Sequence, residues 1–307
     1  MKFLVKPPVG ILYLEGKDCL DFIHRMSTND MLGLNDGTGR TTIFTTEKGK
    51  IIDVVDVYCV DGGFYIIHSE GTRASLLDLF ERYVIMEDVS ISKNKIFATV
   101  LGLQGTSGKK AVFTDNDGTI VLSSPRIYLN GQLYVSDDRL SQNISLVKTG
   151  YSVEFKEYNA LRLEQGIPLF EFDFDSNINP LEANFREYIS WTKGCYVGQE
   201  VIARLDSYNK IKRFLKGVII NPRPAEYLNF RDLELTEIDS RTVYNDGAIA
   251  GTITSIGYSP NLNTLLLLVR FEKGNERSGI DVEFEINGVL LTGEIVDLPF
   301  VKGIQHE

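Results

Sequence analysis

Cysteine and histidine are scarce here, three of each in 307 residues. Cys19, Cys59 and Cys195 are widely spaced, no Cys-x-x-Cys occurs, and an odd number makes a poor disulfide framework. His24, His68 and His306 form no ligand pair with one another or with a cysteine. A structural zinc site or a conventionally ligated iron–sulfur cluster within this chain is therefore not expected. No apolar run approaches the roughly 20 residues that cross a bilayer. The opening Met1-Lys-Phe-Leu-Val-Lys-Pro-Pro8 meets proline before a secretory hydrophobic segment can form, and it lacks the Arg- and Ser-rich character of an organellar leader. A cytoplasmic protein with no membrane partner is expected. Positive charge is in deficit: the formal net charge of −10 argues against direct, non-specific nucleic-acid binding, which needs a basic face. The one basic stretch, Arg204 to Lys216 with Lys210, Lys212 and Arg213, reads either as a solvated segment or as a rim for an anionic ligand tail.

What is present is an ordinary globular composition, 43% apolar and 24% charged, at a length that implies two or three domains. Val9 to Leu14 alternates as a short strand. After Gly16, Cys19, Phe22, Ile23 and Met26 fall on one apolar face of a helix, which makes Cys19 a core residue. Ser27-Thr28-Asn29-Asp30 ends that helix with short polar turn formers. Strands are expected at Arg40 to Thr45, Ile51 to Val60 and Phe64 to His68, with turns at Glu47 to Lys50 and at Asp61-Gly-Gly63. Asp53 shares a strand face with Val55, Val57 and Cys59, where an acid must be paired, hydrogen-bonded or at the water's edge. A helix follows from Thr72 to Tyr83, with Leu76, Leu79, Phe80 and Tyr83 on one face. Strands are then expected at Val89 to Ser92 and Ile96 to Leu103, and turns at Gly118, Pro125 and Asn130-Gly131. Phe155 to Gln165 reads as a helix burying Phe155, Tyr158 and Leu161 and capped by Gly166; Glu164 reads as an exposed acid in its last turn. Glu171-Phe-Asp-Phe-Asp175 reads as an acidic aromatic loop, either solvated or a lid over a flat ligand. From Ile211 onward the texture is all-β, with strands at Phe214 to Ile220, Ile249 to Ile256, Thr264 to Phe271, Val282 to Ile286 and Val289 to Val296, a tight turn at Asn287-Gly288, and a small barrel as the outcome.

The chain is organised around Trp191-Thr-Lys-Gly-Cys-Tyr-Val-Gly-Gln-Glu-Val-Ile-Ala203. Gly194 and Gly198 allow positive φ, and a helix can start at Gln199 with Glu200 in its first turn. Cys195 then precedes a helix N-terminus with Lys193 nearby, two features that favour a cysteine thiolate. The alternative is a glycine-rich turn whose cysteine packs as a small apolar residue.

Lys193-Gly-Cys-Tyr-Val-Gly-Gln-Glu200 resembles the signature of the YgfZ-type folate-binding proteins, which share a superfamily with the T-protein (aminomethyltransferase) of the glycine cleavage system. Arg162-Leu-Glu-Gln-Gly166 resembles the Arg-Leu-Glu-x-Gly segment of T-proteins, and Pro180-Leu-Glu-Ala-Asn184 their Pro-x-Glu-Ala-Gly, with asparagine where YgfZ-type proteins place it. Leu103-Gln-Gly105 resembles the family's entry into its second subdomain, and Gly251 to Pro260 its barrel. The resemblance implies an α+β fold of two intertwined small α+β subdomains plus a C-terminal β-barrel. Its expected divisions are 1–87 with 151–210, 88–150, and 211–307. It implies non-covalent binding of tetrahydrofolate or a derivative. Asn29, Asp53, Arg162, Glu164, Glu182, Asn184, Lys193, Gln199 and Glu200 are the candidate binding residues, and Cys195 and Asp53 the candidate catalytic pair. Thr28-Asn29-Asp30 resembles a Thr-Asn-Asp that follows the first helix in the family and borders the pocket there, with Asn29 and Asp30 as its candidate site residues. A pterin edge presents adjacent N–H donors that a carboxylate accepts together, and Glu182 is preferred over Glu164 for that contact. Arg204 to Lys216 would face a polyglutamate tail.

The implied function is support for assembly or repair of iron–sulfur clusters in client enzymes, tRNA-modifying ones included, with those clients or assembly factors as partners. Cys195 would then accept a sulfur or a one-carbon adduct, or contact a thiol-reactive partner. T-proteins carry an acidic pair where this chain has Asp53 followed by Val54, which counts against the second reading, an aminomethyltransferase. A third is a scaffold that binds a partner without folate.

Overall fold

The computed structural model describes residues 3–92, 97–102, 112–114, 119–124, 131–137, 151–152, 154–220 and 238–301. The segment 103–105, the turns expected at Gly118, Pro125 and Asn130, and His306 lie outside them. In chain order the elements are β1 (Phe3–Val5), β2 (Val9–Glu15), α1 (Cys19–Met26), β3 (Gly39–Thr45), β4 (Ile51–Val60), β5 (Gly63–Ser69), α2 (Arg73–Tyr83), β6 (Ser90–Ile91), β7 (Phe97–Gly102), β8 (Val112–Thr114), β9 (Ile120–Ser123), β10 (Gln132–Asp137), β11 (Tyr151–Ser152), α3 (Phe155–Glu164), a 3-10 turn (Arg186–Tyr188), α4 (Gln199–Ser207), β12 (Arg213–Ile220), β13 (Thr242–Asn245), β14 (Ala248–Ser259), β15 (Thr264–Glu272), β16 (Asp281–Ile286) and β17 (Val289–Val296). The fold is α+β. The chain forms two compact units, Met1–Val153 with Ser176–Pro180 and Phe185–Arg204, and Glu154–Asp175 with Leu181–Asn184 and Leu205–Glu307. Among the described residues no helix is long and apolar enough to cross a membrane.

The first unit holds a five-stranded sheet, ordered β3-β4-β5-β2-β6, and a six-stranded sheet, ordered β11-β1-β7-β10-β9-β8. Alternation along β4 sends Val55, Val57 and Cys59 into a core with Cys19, Phe22, Ile23 and Met26 of α1 and Leu76, Leu79 and Phe80 of α2. Phe80 contacts both Phe22 and Phe44 edge-on. The opposite face of β4 is buried as well: Tyr58 donates its hydroxyl to the Ser123 carbonyl. The central strand therefore reads as a nearly unbroken apolar run, interrupted only by Asp53 and Asp56, both buried.

In the second unit six strands close a barrel in the order β12-β15-β14-β13-β16-β17. Closure leaves no edge strand to pair with another chain. Asn287 and Gly288 both take positive φ, as the tight β16–β17 turn requires. The four-residue β13 was not expected from sequence. α3 opens with a capping box between Glu154 and Glu157. Its buried side differs from the expected one: Tyr158, Arg162, Leu163 and Glu164 are inward, while Phe155 is exposed. Polar partners supplied by the barrel draw the two charged residues in.

Candidate functional site

The cysteine loop is built by its neighbours. Gly198 has φ +84°, and a Cβ there would lie 2.5 Å from the Thr46 carbonyl oxygen and 3.1 Å from the Gly49 Cα. Only glycine lets the loop sit that close to the β3–β4 turn. Thr45 Oγ1 donates to the Val197 carbonyl at 2.5 Å on the same side. Gly194 is different: its φ is outside the left-handed region, and nothing lies within 4 Å of an added Cβ. Of the two glycines that allow positive φ, Gly198 alone adopts it. α4 starts at Gln199, which is half-buried, with Glu200 exposed in its first turn.

Lys193 runs inward to the C-terminus of α1. Its Nζ donates to the carbonyls of His24, Ser27 (2.7 Å) and Asn29 (2.9 Å). An ammonium has three donors, and all three are spent. None remains for Cys195, so Lys193 donates no hydrogen bond to the thiol. Burial pushes the Lys193 ammonium down to about 8, opposed by the charge of Asp30. His24 is held below its ordinary value by burial and then by Lys193, and its Nδ1 accepts the Met31 N–H at 3.2 Å. Tyr196, under the loop, is buried, and desolvation pushes its phenol up to about 12.

Cys195 is exposed, whereas Cys19 and Cys59 are buried. Burial, then the nearby acids Asp88, Asp18 and Glu15, push the Cys19 thiol up to about 11; burial also raises Cys59. The protein therefore presents one accessible thiol, on a loop anchored at both ends.

The turn that receives Lys193 is itself tightly held. Asn29 donates its side-chain amide to the Thr41 carbonyl (2.8 Å) and accepts the Asp30 N–H (2.9 Å). Thr28 Oγ1 donates to the Tyr188 carbonyl (2.7 Å), and Ser190 N–H donates to the Thr28 carbonyl (3.0 Å). The sequence singles out Asn29 and Asp30 as site candidates and Thr28 as a turn former, but not the Thr28 bond that joins residues 160 positions apart. No local pattern signals such a link.

Asp53 is fully buried, so the reading of an acid at the water's edge is corrected. Its Oδ1 accepts from Val54 N–H (2.8 Å) and Ser69 Oγ (2.7 Å), and its Oδ2 from Ser69 N–H (2.7 Å) and Thr72 Oγ1 (2.6 Å). Those four bonds fill the acceptor capacity of a carboxylate. Asp53 ties the end of β5 and the start of α2 to β4. Asp56, three residues on, faces the other way and accepts from Thr41 Oγ1 at 2.6 Å and from Ser124 Oγ. A second acid in an apolar strand was a legible signal that the sequence reading passed over.

In the second unit Arg162 is buried. It donates to Asn159 Oδ1 (2.8 Å), the Ile167 carbonyl (2.8 Å), Asp173 Oδ2 (2.6 Å) and Ser255 Oγ (2.6 Å). Asp173 also accepts from Thr254 Oγ1 at 2.7 Å. The acidic aromatic segment is therefore neither a solvated connection nor a lid along its whole length: Asp173 and Phe174 are buried, and Phe172 is exposed. Glu164 is 4% exposed, which corrects the expectation of an exposed acid. It accepts from Ser259 Oγ and from the Asn261 N–H (3.2 Å) and side-chain amide (2.6 Å). Both charged residues of the Arg-Leu-Glu segment thus clamp α3 to the barrel strand β14 and the turn after it. Glu182 is buried at 7% exposure. Asn184 is exposed with φ +64°, a conformation that glycine and asparagine adopt more readily than other residues. Asparagine at position 184 suits that backbone geometry. In the basic stretch, Lys216 pairs with Asp297 at 2.5 Å and Arg213 with Glu272 at 3.2 Å.

Residues 234–302 match the family described as the glycine cleavage T-protein C-terminal barrel domain. An aminomethyltransferase of Chlorobium limicola is 24% identical over 96% of this chain and 86% of its own length. A mitochondrial aminomethyltransferase of Mesembryanthemum crystallinum is 26% identical over 94% of this chain and 76% of its own. The crystal structure of the glycine cleavage system aminomethyltransferase T from Bartonella henselae superposes with a TM-score of 0.80 at 17% identity, covering 98% of this chain and 86% of that one. The α+β architecture with its terminal six-stranded barrel is the T-protein fold.

Proposed function

We propose that the chain, whose residues 234–302 match the T-protein barrel family, belongs with the glycine cleavage T-protein superfamily, binds a reduced folate non-covalently and supports assembly or repair of iron–sulfur clusters in client enzymes, tRNA-modifying ones included. The observation that carries this reading is the Lys193–Glu200 octapeptide folded as an anchored surface loop with Cys195, the accessible thiol, at its exposed part. Glu182 is the acid proposed for the pterin edge, on the resemblance of Pro180-Leu-Glu-Ala-Asn184 to the T-protein segment. Calorimetric titration with tetrahydrofolate tests the first half. A saturable heat that Glu182→Gln weakens supports it, and no heat with the native protein overturns it. For the second half, Cys195→Ala and Cys195→Ser are expected to lower the activity of an iron–sulfur enzyme in cells. Full activity with both would remove the thiol from the mechanism.

Aminomethyl transfer is the second reading, favoured by the names of the relatives. Against it stand the buried Val54 beside Asp53 and the four bonds that occupy Asp53 itself. Folate-dependent release of ammonia from an aminomethyl-lipoyl carrier would establish it.

A further inference from the structure

Three main-chain carbonyls at the end of α1 converge on one side chain from a loop about 165 residues downstream. A helix C-terminus leaves its last carbonyls without intrahelical partners, and a lysine there both bonds them and meets the negative end of the helix dipole. Here the lysine stands two positions before the exposed cysteine. The same two segments are laced again by Thr28 to Tyr188 and by Ser190 to Thr28. On the far side of the cysteine, Val197 is held by Thr45, and Gly198 abuts Thr46. Between these anchors, a Cβ added at Gly194 would meet nothing within 4 Å, and Cys195 is exposed.

We propose that Lys193 is a positioning residue: by binding the carbonyls of His24, Ser27 and Asn29, its ammonium makes the cysteine loop and the Ser27–Asp30 turn one rigid piece and so fixes where the Cys195 thiol is presented. Lys193 thus acts on the thiol through the backbone, with no donor left to contact a ligand or the sulfur. The use made of the thiol rests on the reading under Proposed function; the positioning does not, because it concerns the unliganded protein.

The test is amide hydrogen exchange on the full-length native protein and on Lys193→Met, which keeps the length of the side chain and removes its donors. A nitroxide label on Cys195, the accessible thiol, gives a second readout. Lys193→Met is expected to speed exchange at 27–30 and 190–198 about tenfold or more and to sharpen the label's spectrum, with β12–β17 unchanged. Lys193→Arg retains a cation that can bond the same carbonyls and is expected to restore part of the protection. Uniformly faster exchange across the barrel would mean a general loss of stability and would overturn the proposal, as would native protection in Lys193→Met. Should Lys193→Met fail to fold, Lys193→Arg decides alone: local loosening at those two segments supports the proposal, and native protection with an unaltered label spectrum rejects it. A native protein that gives no heat with tetrahydrofolate would sink the folate reading and leave this result standing.

Discussion

At the scale of single residues, the charged groups of this protein sort by how many of their bonds are already made. Asp53 has no acceptor capacity left, and Arg162 lies against Asp173 with almost all its donors engaged. Asp53→Ala removes the acceptor of Val54 N–H, Ser69 N–H and Ser69 Oγ in the interior, while the Thr72 hydroxyl keeps the Ser69 carbonyl, and it is expected to cost about 3 kcal/mol. Arg162→Met leaves Asp173 as a buried charge without its ion-pair partner, and about 3–5 kcal/mol is expected. Cys195→Ser changes an exposed side chain and should stay within about 0.5 kcal/mol. Urea unfolding of the three variants checks this order, and a Cys195→Ser cost as large as the others would refute it. Lys193 gives a pH test. Burial lowers its pKa from 10.5 to about 8, so between those values the unfolded chain holds a proton that the folded chain has released. Linkage then makes this group's contribution to stability rise with pH across that window. Native protein should gain stability relative to Lys193→Met as pH is raised through it; parallel pH profiles would mean that the folded pKa is not displaced.

Among the elements, the strands and helices with clear apolar periodicity were legible. β4 runs from Ile51 to Val60 as read, and α1 buries Cys19, Phe22, Ile23 and Met26 as read. α3 was located correctly but its buried face was not. Periodicity counts apolar residues, and this helix turns Arg162 and Glu164 inward because Asp173, Ser255, Ser259 and Asn261 bond them. Partners that far along the chain leave no local trace. The two loop glycines look alike in sequence and differ in space. Gly198→Ala combines φ +84° with a carbonyl oxygen 2.5 Å from the new Cβ, and should destabilise by more than about 1 kcal/mol and displace the loop. Gly194→Ala meets open space without a left-handed φ and should be close to neutral. Denaturation midpoints, with the rate at which Cys195 reacts with an aromatic disulfide, check the pair. Equal effects at the two positions would mean the loop is not seated on the Thr46–Gly49 turn.

For the whole molecule, the terminal barrel could be read from spaced strands and turns. The structure groups Glu154–Asp175 and Leu181–Asn184 with the barrel, and Ser176–Pro180 and Phe185–Arg204 with the sheets of the first unit. The bonds of Arg162, Glu164 and Asp173 to β14 and the turn after it explain the first assignment, and those of Thr28, Thr45 and Lys193 to residues 188–197 explain the second. Each set of bonds stabilises one unit, so the damage from losing it should stay within that unit. In the intact chain, Arg162→Met is expected to speed amide exchange in β14 and β15 while leaving β4 and β5 protected, and Asp53→Ala is expected to do the reverse. Site-resolved hydrogen exchange under native conditions measures both. If either variant accelerated exchange equally in β4 and β15, the two units would open as one cooperative body, and the division drawn from their internal packing would have no counterpart in how the protein opens.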